Sequence, residues 1–175
     1  MLQILAISGS LRSRSTTGAV LEAASRLAPD GMAVRIWQGL GDIPPFNPDL
    51  DVPPVPLAVE AFRTELRSAD AVIICSPEYA HGVSGVMKNA LDWVVGSGEL
   101  MEKPVALINA SPYATIAQAA LAETLRTMSA AVVEEASVTL PIFSGKPDAA
   151  AMIASPQISN ALRMAFAALG SRNTD

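Results

Sequence analysis

Five short apolar runs, each followed by or set against a stretch with helical spacing, limit this chain more than any other feature of its sequence. Residues 2–7, 33–37, 71–75 and 105–110 have the length of buried strands. Residues 132–140 hold Val132, Val133, Val138 and Leu140 around Glu134 and Glu135, as a strand at or near a sheet edge would. Between the runs, apolar residues recur at three- and four-residue intervals. Val20, Leu21, Ala24 and Leu27 share one face of 18–28, and Leu57, Val59, Phe62 and Leu66 share one face of 57–68. Val86, Leu91 and Val94 do so in 85–95, a further helix is expected over 115–130, and Ser155–Pro156 opens a last one carrying Ile158, Leu162, Phe166 and Leu169. This alternation predicts an α/β fold: a doubly wound, five-stranded parallel sheet with helices on both faces. At 175 residues, one domain over 1–175 is expected.

In such sheets ligands bind beyond the carboxyl ends of the strands, where the winding reverses. Three loops follow that rule, at 8–17, 76–84 and 109–114. The first reads Ser-Gly-Ser-Leu-Arg-Ser-Arg-Ser-Thr-Thr and leads into a helix, so it gathers helix N–H groups, hydroxyls and two guanidinium groups at one point, as a phosphate dianion requires. Hydroxyl residues before a helix are commonly only caps. One hydroxyl suffices for that, and Ser10, Arg12, Ser15 and Thr17 offer four donors. In the second loop, Ser84 stands where it could cap the next helix, in which Lys88 and Asp92 form an i, i+4 pair. Residues 39–56 hold six prolines in one long connection. It either packs over a ligand or partner subunit or is a surface connection held by Phe46.

The net charge of −5, with no basic run, argues against a nucleic-acid partner. No apolar run has the length of a membrane span, and the first residues lack the basic start and cleavage site of a signal peptide, so no membrane association and a cytoplasmic protein are expected. Cys75 is the sole cysteine and lies within an apolar run, which reads as a buried structural thiol and excludes an internal disulfide or a cysteine metal cluster; no metal site is expected.

Two motifs then carry a resemblance. Residues 9–17 are similar to the Gly-Ser-Leu-Arg-x-x-Ser-x-Asn phosphate loop of the NAD(P)H-dependent FMN reductase family, a flavodoxin-like group that includes quinone and azo-dye reductases. Ser76-Pro-Glu-Tyr79, followed by Gly85-Val-Met-Lys-Asn-Ala-Leu-Asp-Trp93, resembles that family's second signature. The resemblance implies a flavodoxin-like fold with FMN as cofactor and NADPH or NADH as reductant. Ser10, Arg12, Ser15, Thr16 and Thr17 would hold the FMN phosphate, and Pro77, Glu78, Tyr79, Ala80, His81 and Gly82 would wrap the isoalloxazine ring, with Ser111 beside it. No side chain would serve as acid or base, since the hydride chemistry belongs to the cofactor. The acceptor would be a small molecule, a quinone, an azo compound or a flavin, and the assembly a homodimer or homotetramer. A non-enzymatic FMN electron carrier of flavodoxin type is the alternative. Thr17 and Ala80 stand where the family has Asn, and residues 110–115 replace a glycine-rich loop. His81 either lines the substrate face or is simply solvated, with nothing nearby in the sequence to orient it. Met87 and Trp93 read as core or subunit-interface residues, and Glu78 as a cap or an intersubunit contact.

Overall fold

The structure, a computed structural model, describes residues 1–172. Its order is β1 (Leu2–Ser8), α1 (Thr16–Leu27), β2 (Met32–Trp37), α2 (Leu57–Ser68), β3 (Ala71–Cys75), β4 (Glu78–Tyr79), β5 (Gly82–Val83), α3 (Gly85–Asp92), β6 (Pro104–Asn109), α4 (Thr115–Thr127), β7 (Ala131–Val132), β8 (Val138–Thr139), α5 (Ala149–Ala154) and α6 (Pro156–Ser171). The main sheet runs β2-β1-β3-β6-β7, with β8 also paired to β6, and every pairing in it is parallel. Winding therefore reverses between β1 and β3, and the loops expected to converge leave the same edge.

The period of two along each strand sorts the core into two layers. Ile4, Ala6, Ile73, Cys75, Ala106 and Ile108 pack with Val20 and Leu21 of α1, Met152 of α5, and Leu162, Phe166 and Leu169 of α6. Leu5, Ile7, Val72, Ile74, Val105 and Leu107 pack against Val59, Phe62 and Leu66 of α2, Met87 and Leu91 of α3, and Leu121 and Leu125 of α4. Helices thus cover both faces, as expected. β3 is buried at all five of its residues, which is why Ala-Val-Ile-Ile-Cys has no polar member. Burial pushes the Cys75 thiol up to about 12, against a smaller opposing effect of the Ala110 backbone, so it stays a protonated core thiol.

The expected strand over 132–140 is broken. β7 pairs with the start of β6 and β8 with its end, so the main sheet has six strands, two of them sharing the fifth position. Between them Glu134–Ala136 forms a 3-10 turn that buries Ala136 completely. The skipped stretch of β6 finds side-chain partners instead: Leu107 N donates to Ser137 Oγ at 3.1 Å, and Gln118 Nε2 donates to Leu107 O at 3.3 Å. Glu134 and Glu135, placed in the expectation on a strand, stand on that turn and are exposed.

Two small elements were not anticipated. Residues 78–83 form an antiparallel hairpin, and 149–154 form a short helix capped by Asp148, whose carboxylate accepts from Ala151 N at 2.8 Å. Ser84 sits at the start of α3 without capping it, because its hydroxyl pairs with Ser76 Oγ at 3.4 Å. The Lys88–Asp92 pair forms at 2.5 Å.

The proline-rich segment is tied down along its length. Asn89 takes Phe46 N on Oδ1 at 2.8 Å and gives Nδ2 to Pro44 O at 2.9 Å, and Trp93 Nε1 donates to the same carbonyl at 2.8 Å. Phe46 meets the Trp93 ring edge-on at 5.1 Å. Arg63, nearly buried, donates to Asp51 at 2.7 Å and to Trp93 O at 2.5 Å. Asn89 and Trp93 of the second motif thus act as moorings for residues 44–46, and Trp93 and Met87 are core residues.

Candidate flavin and nucleotide site

The first loop is built around Ser15, which caps α1 by accepting from Gly18 N at 3.0 Å. Any larger residue at 18 would collide with that hydroxyl, since a Cβ there would lie 2.9 Å from Ser15 Oγ. The helix starts two residues earlier than its spacing suggested, so Thr16 and Thr17 belong to its first turn. Thr17 is buried, and its hydroxyl lies 2.9 Å from Ser8 Oγ and 3.4 Å from Ser15 Oγ. Ser10 Oγ accepts from Arg12 N at 3.4 Å, which curls the loop. The cap engages the third N–H of the helix. Those of Thr16 and Thr17 have no partner among the described residues, and they are the pair a helix start offers to an anion. Arg12 and Arg14 are exposed and form no ion pair among the described residues.

Gly9 brings the first two loops together. Its N–H donates to Cys75 O at 2.9 Å, and a Cβ at this position would lie 2.3 Å from Ser76 Oγ. Only glycine permits that approach.

In the second loop, the hairpin turns through Ala80 and His81, both at positive φ (50° and 58°). Glu78 ties this hairpin to α4. Its Oε2 accepts from Ala117 N at 2.8 Å, replacing the cap that Ala114 cannot supply, and its Oε1 lies 3.0 Å from His81 Nδ1. Bonding to the Ala117 N–H, helped by His81 and opposed by partial burial, holds the Glu78 carboxyl below its usual value. His81 therefore does have an orienting partner, three residues earlier in the chain and across the hairpin. Periodicity could not show it, because the hairpin was not anticipated. Glu78 is a cap, as one of its two expected roles had it.

The third loop is organised by Asn109, whose Oδ1 accepts from Ser111 N at 3.1 Å while Nδ2 donates to Ala114 O at 2.9 Å. Tyr113 projects outward and meets Phe143 edge-on at 6.3 Å.

These loops enclose two cavities. The smaller, about 430 Å³, is bounded by Thr16, Thr17, Pro77, Glu78 and Ser111 from the expected set, together with Ser76, Asn109, Tyr113, Ile142 and Phe143. The larger, about 960 Å³, is bounded by Ser10, Arg12, Ser15 and again Thr16, and continues past Arg14 to Trp37, Asp42 and Lys146. Thr16 borders both. Tyr79, Ala80, His81 and Gly82 line neither; they form the hairpin beyond Glu78. The wall at 142–146 was missed by sequence reasoning, where Gly145-Lys-Pro-Asp was read only as a loop. The signal was available: that loop follows the last strand of a parallel sheet and so opens at the same edge.

The donor set fits FMN. A cavity of the size small ligands occupy, with Pro77, Tyr113, Ile142 and Phe143 among mixed polar and apolar walls, adjoins a helix N-terminus with two free N–H groups, nearby hydroxyls and two guanidiniums without an ion pair, the surroundings a planar ring and a terminal phosphate need.

Comparison with known proteins bears on the same stretch. The chain is 41% identical over 112 residues to an NAD(P)H-dependent FMN reductase of Pseudomonas aeruginosa, covering 63% of this chain and 60% of that protein. It is 37% identical over 106 residues to a quinone reductase of Escherichia coli, covering 60% of this chain and 55% of that one. The matches thus span little more than half the length of these relatives. Among solved structures, a flavoenzyme NAD(P)H:(acceptor) oxidoreductase from Paracoccus denitrificans superposes with a TM-score of 0.76 at 23% identity, over 99% of this chain and 98% of that one. A WrbA-like flavodoxin from Agrobacterium tumefaciens superposes with a TM-score of 0.59 at 12% identity, over 98% and 97%. These likenesses establish a flavodoxin-like fold. The model of the NADPH-dependent FMN reductase family matches residues 2–145, and with both of its loops in place at one sheet edge, the chain belongs to that family.

Proposed function

We propose that this chain, as a single domain over 1–175, is an FMN-dependent oxidoreductase that passes electrons from NADPH or NADH to a small acceptor such as a quinone, an azo compound or a flavin. The observation that carries this reading is the junction at Thr16, where an anion-seeking helix start joins a cavity walled by Pro77, Tyr113, Ile142 and Phe143. Bound FMN would supply the hydride acceptor and donor. The protein's own part is to hold, orient and shield it. The N–H groups of Thr16 and Thr17, the hydroxyls of Ser10 and Ser15, and Arg12 hold a terminal phosphate, and the side of the smaller cavity formed by Pro77, Glu78 and Ser111 receives the ring. Glu78 keeps the hairpin Tyr79–Gly82 fixed against α4, so the ring's neighbours do not drift. Exposed Tyr79, Tyr113, Ile116 and Phe143 leave one side apolar and accessible, which suits a planar acceptor and the face of a second subunit in a homodimer or homotetramer. A cytoplasmic setting belongs to the same proposal. Among the described residues no helix is long and apolar enough to cross a membrane.

Charged residues are few and of both signs, which does not favour the electron-carrier alternative, since a carrier docks its partner through a charged face. The test is direct: the purified protein, incubated with FMN and freed of excess, shows a flavin spectrum, and it then oxidises NADPH or NADH when a quinone is added. A protein that retains no FMN is not this enzyme. One that retains FMN without turning over is the carrier.

A further inference from the structure

The smaller cavity, which on the reading given above receives the flavin ring, has one charged side chain in its lining among the described residues: the Glu78 carboxylate. No Lys or Arg borders it. Arg12, Arg14 and Lys146 border the larger cavity, beside Glu22, Asp42 and Asp148. The Glu78 charge is also fixed in place. Its side chain is 11% exposed, its Oε2 accepts from Ala117 N at 2.8 Å, and its Oε1 lies 3.0 Å from His81 Nδ1, so both oxygens are held. The bond from the Ala117 N–H holds the carboxyl below its usual value, so the group is ionised at neutral pH.

Reduction by a nicotinamide moves a hydride, two electrons and one proton, from the dihydropyridine to the flavin. The nicotinamide leaves as a cation, and the flavin ring, neutral before the transfer, carries one negative charge after it. A fixed carboxylate in the wall of the same cavity repels that charge and leaves the neutral ring unaffected, so it destabilises the reduced form alone. Its hydrogen bonds orient the carboxylate without neutralising it, and the His81 side chain that shares it is itself exposed to solvent. The groups at the start of α1 do not offset the effect, because the phosphate they hold has the same charge before and after the step.

We propose that Glu78 sets the redox poise of the bound flavin: its carboxylate lowers the reduction potential of FMN, so the reduced ring is held more weakly than the oxidised one and its electrons pass more readily to the acceptor. This rests on the FMN-dependent function proposed above and adds to it a side chain whose charge, and not only its hold on α4, acts on the ring.

The experiment measures the two-electron midpoint potential of the FMN-loaded protein by equilibration with a reference dye at about pH 7, together with the affinities for oxidised and for dithionite-reduced FMN. Glu78→Gln keeps the length and an oxygen that accepts from Ala117 N, and removes the charge. It is expected to bind reduced FMN about tenfold more tightly relative to oxidised FMN than the parent does, which for a two-electron couple is a potential raised by about 30 mV. Glu78→Asp keeps the charge on a side chain too short for the same hold on α4, and its ratio of the two affinities should stay within about twofold of the parent's. Glu78→Ala should shift in the direction of Glu78→Gln, and gives the reading should that variant not fold. A potential unchanged or lowered on loss of the charge overturns the inference. So does a Glu78→Asp potential raised as far as that of Glu78→Gln, since the hold on α4 would then be what matters. In either case a parent that retains FMN and turns over leaves the proposed function standing, whereas a parent that retains no FMN overturns both.

Discussion

Glu78 serves two partners at once, the N–H of Ala117 and the ring of His81. Its carboxyl is held below the ordinary value of 4.5, so the stabilisation it brings is fully present above that value and is lost as pH falls through the folded-state value. The urea midpoint of the parent should therefore fall more steeply between about pH 6 and about pH 3 than that of Glu78→Gln. Parallel acid limbs would show that the carboxylate does not hold α4. Two residues on, Ala80 occupies left-handed backbone that costs a residue with a side chain roughly 1 kcal/mol or more. Asn tolerates it, so Ala80→Asn should raise stability by about 0.5–1 kcal/mol in urea unfolding. An unchanged or lowered midpoint would mean that the turn is not under strain. Arg12→Ala should weaken FMN binding by about 10-fold to somewhat over 100-fold, the loss expected for one charge-assisted bond to a phosphate. Far-UV circular dichroism should not change, because Arg12 is exposed and outside both core layers. Wild-type FMN affinity in that variant would remove the first loop from the phosphate site.

Among the elements, the hydrophobic period placed the first four strands of the parallel sheet and the five longer helices, because strands buried on both faces and amphipathic helices leave strong periodic signals. It did not place the hairpin at 78–83 or the short helix at 149–154. A two-residue strand has no period to read, and a helix made of Ala-Ala-Ala-Met-Ile-Ala shows no polar face. The break at Glu134–Ala136 was misread for a related reason: four apolar residues flank two acids, and only the packing of Ala136 against α6 and the bond from Leu107 N to Ser137 decide for a turn. Ser137 also donates to Val133 O at 2.9 Å. Ser137→Ala leaves the Leu107 N–H without its acceptor and should cost about 1–3 kcal/mol, read as a lowered denaturant midpoint with unchanged slope. A variant as stable as the parent would mean that water or a shifted backbone takes over that bond.

At the scale of the molecule, the three converging loops were legible because the rule for parallel sheets places them from strand order alone. The wall from Ile142 to Lys146 and the separation into two cavities were not, since they depend on how far apart loop tips lie. The proline-rich segment links the two scales. Its residues Leu40, Gly41 and Asp42 wall the larger cavity, and the residues just after them, Pro44 and Phe46, are moored on α3 through Asn89. Asn89→Ala removes both of those bonds and should lower stability by about 1–3 kcal/mol. It should also open residues 39–56 to limited proteolysis, with fragments assigned by mass. Cleavage no faster than in the parent would show that Trp93 and Arg63 hold the segment without Asn89.

The split at the fifth strand position also gives the two margins of the sheet different social behaviour. A foreign strand seeking to add itself beside β7 and β8 meets pairs of residues interrupted by a turn bearing Glu134 and Glu135, with no long row of free amides to copy. The opposite margin, β2, offers six consecutive residues, guarded chiefly by the charge on Arg35, which is paired with Glu65. If crowded or partly unfolded copies ever stick together by strand addition, the contact would run through β2, and Arg35 is the gatekeeper to remove to see it.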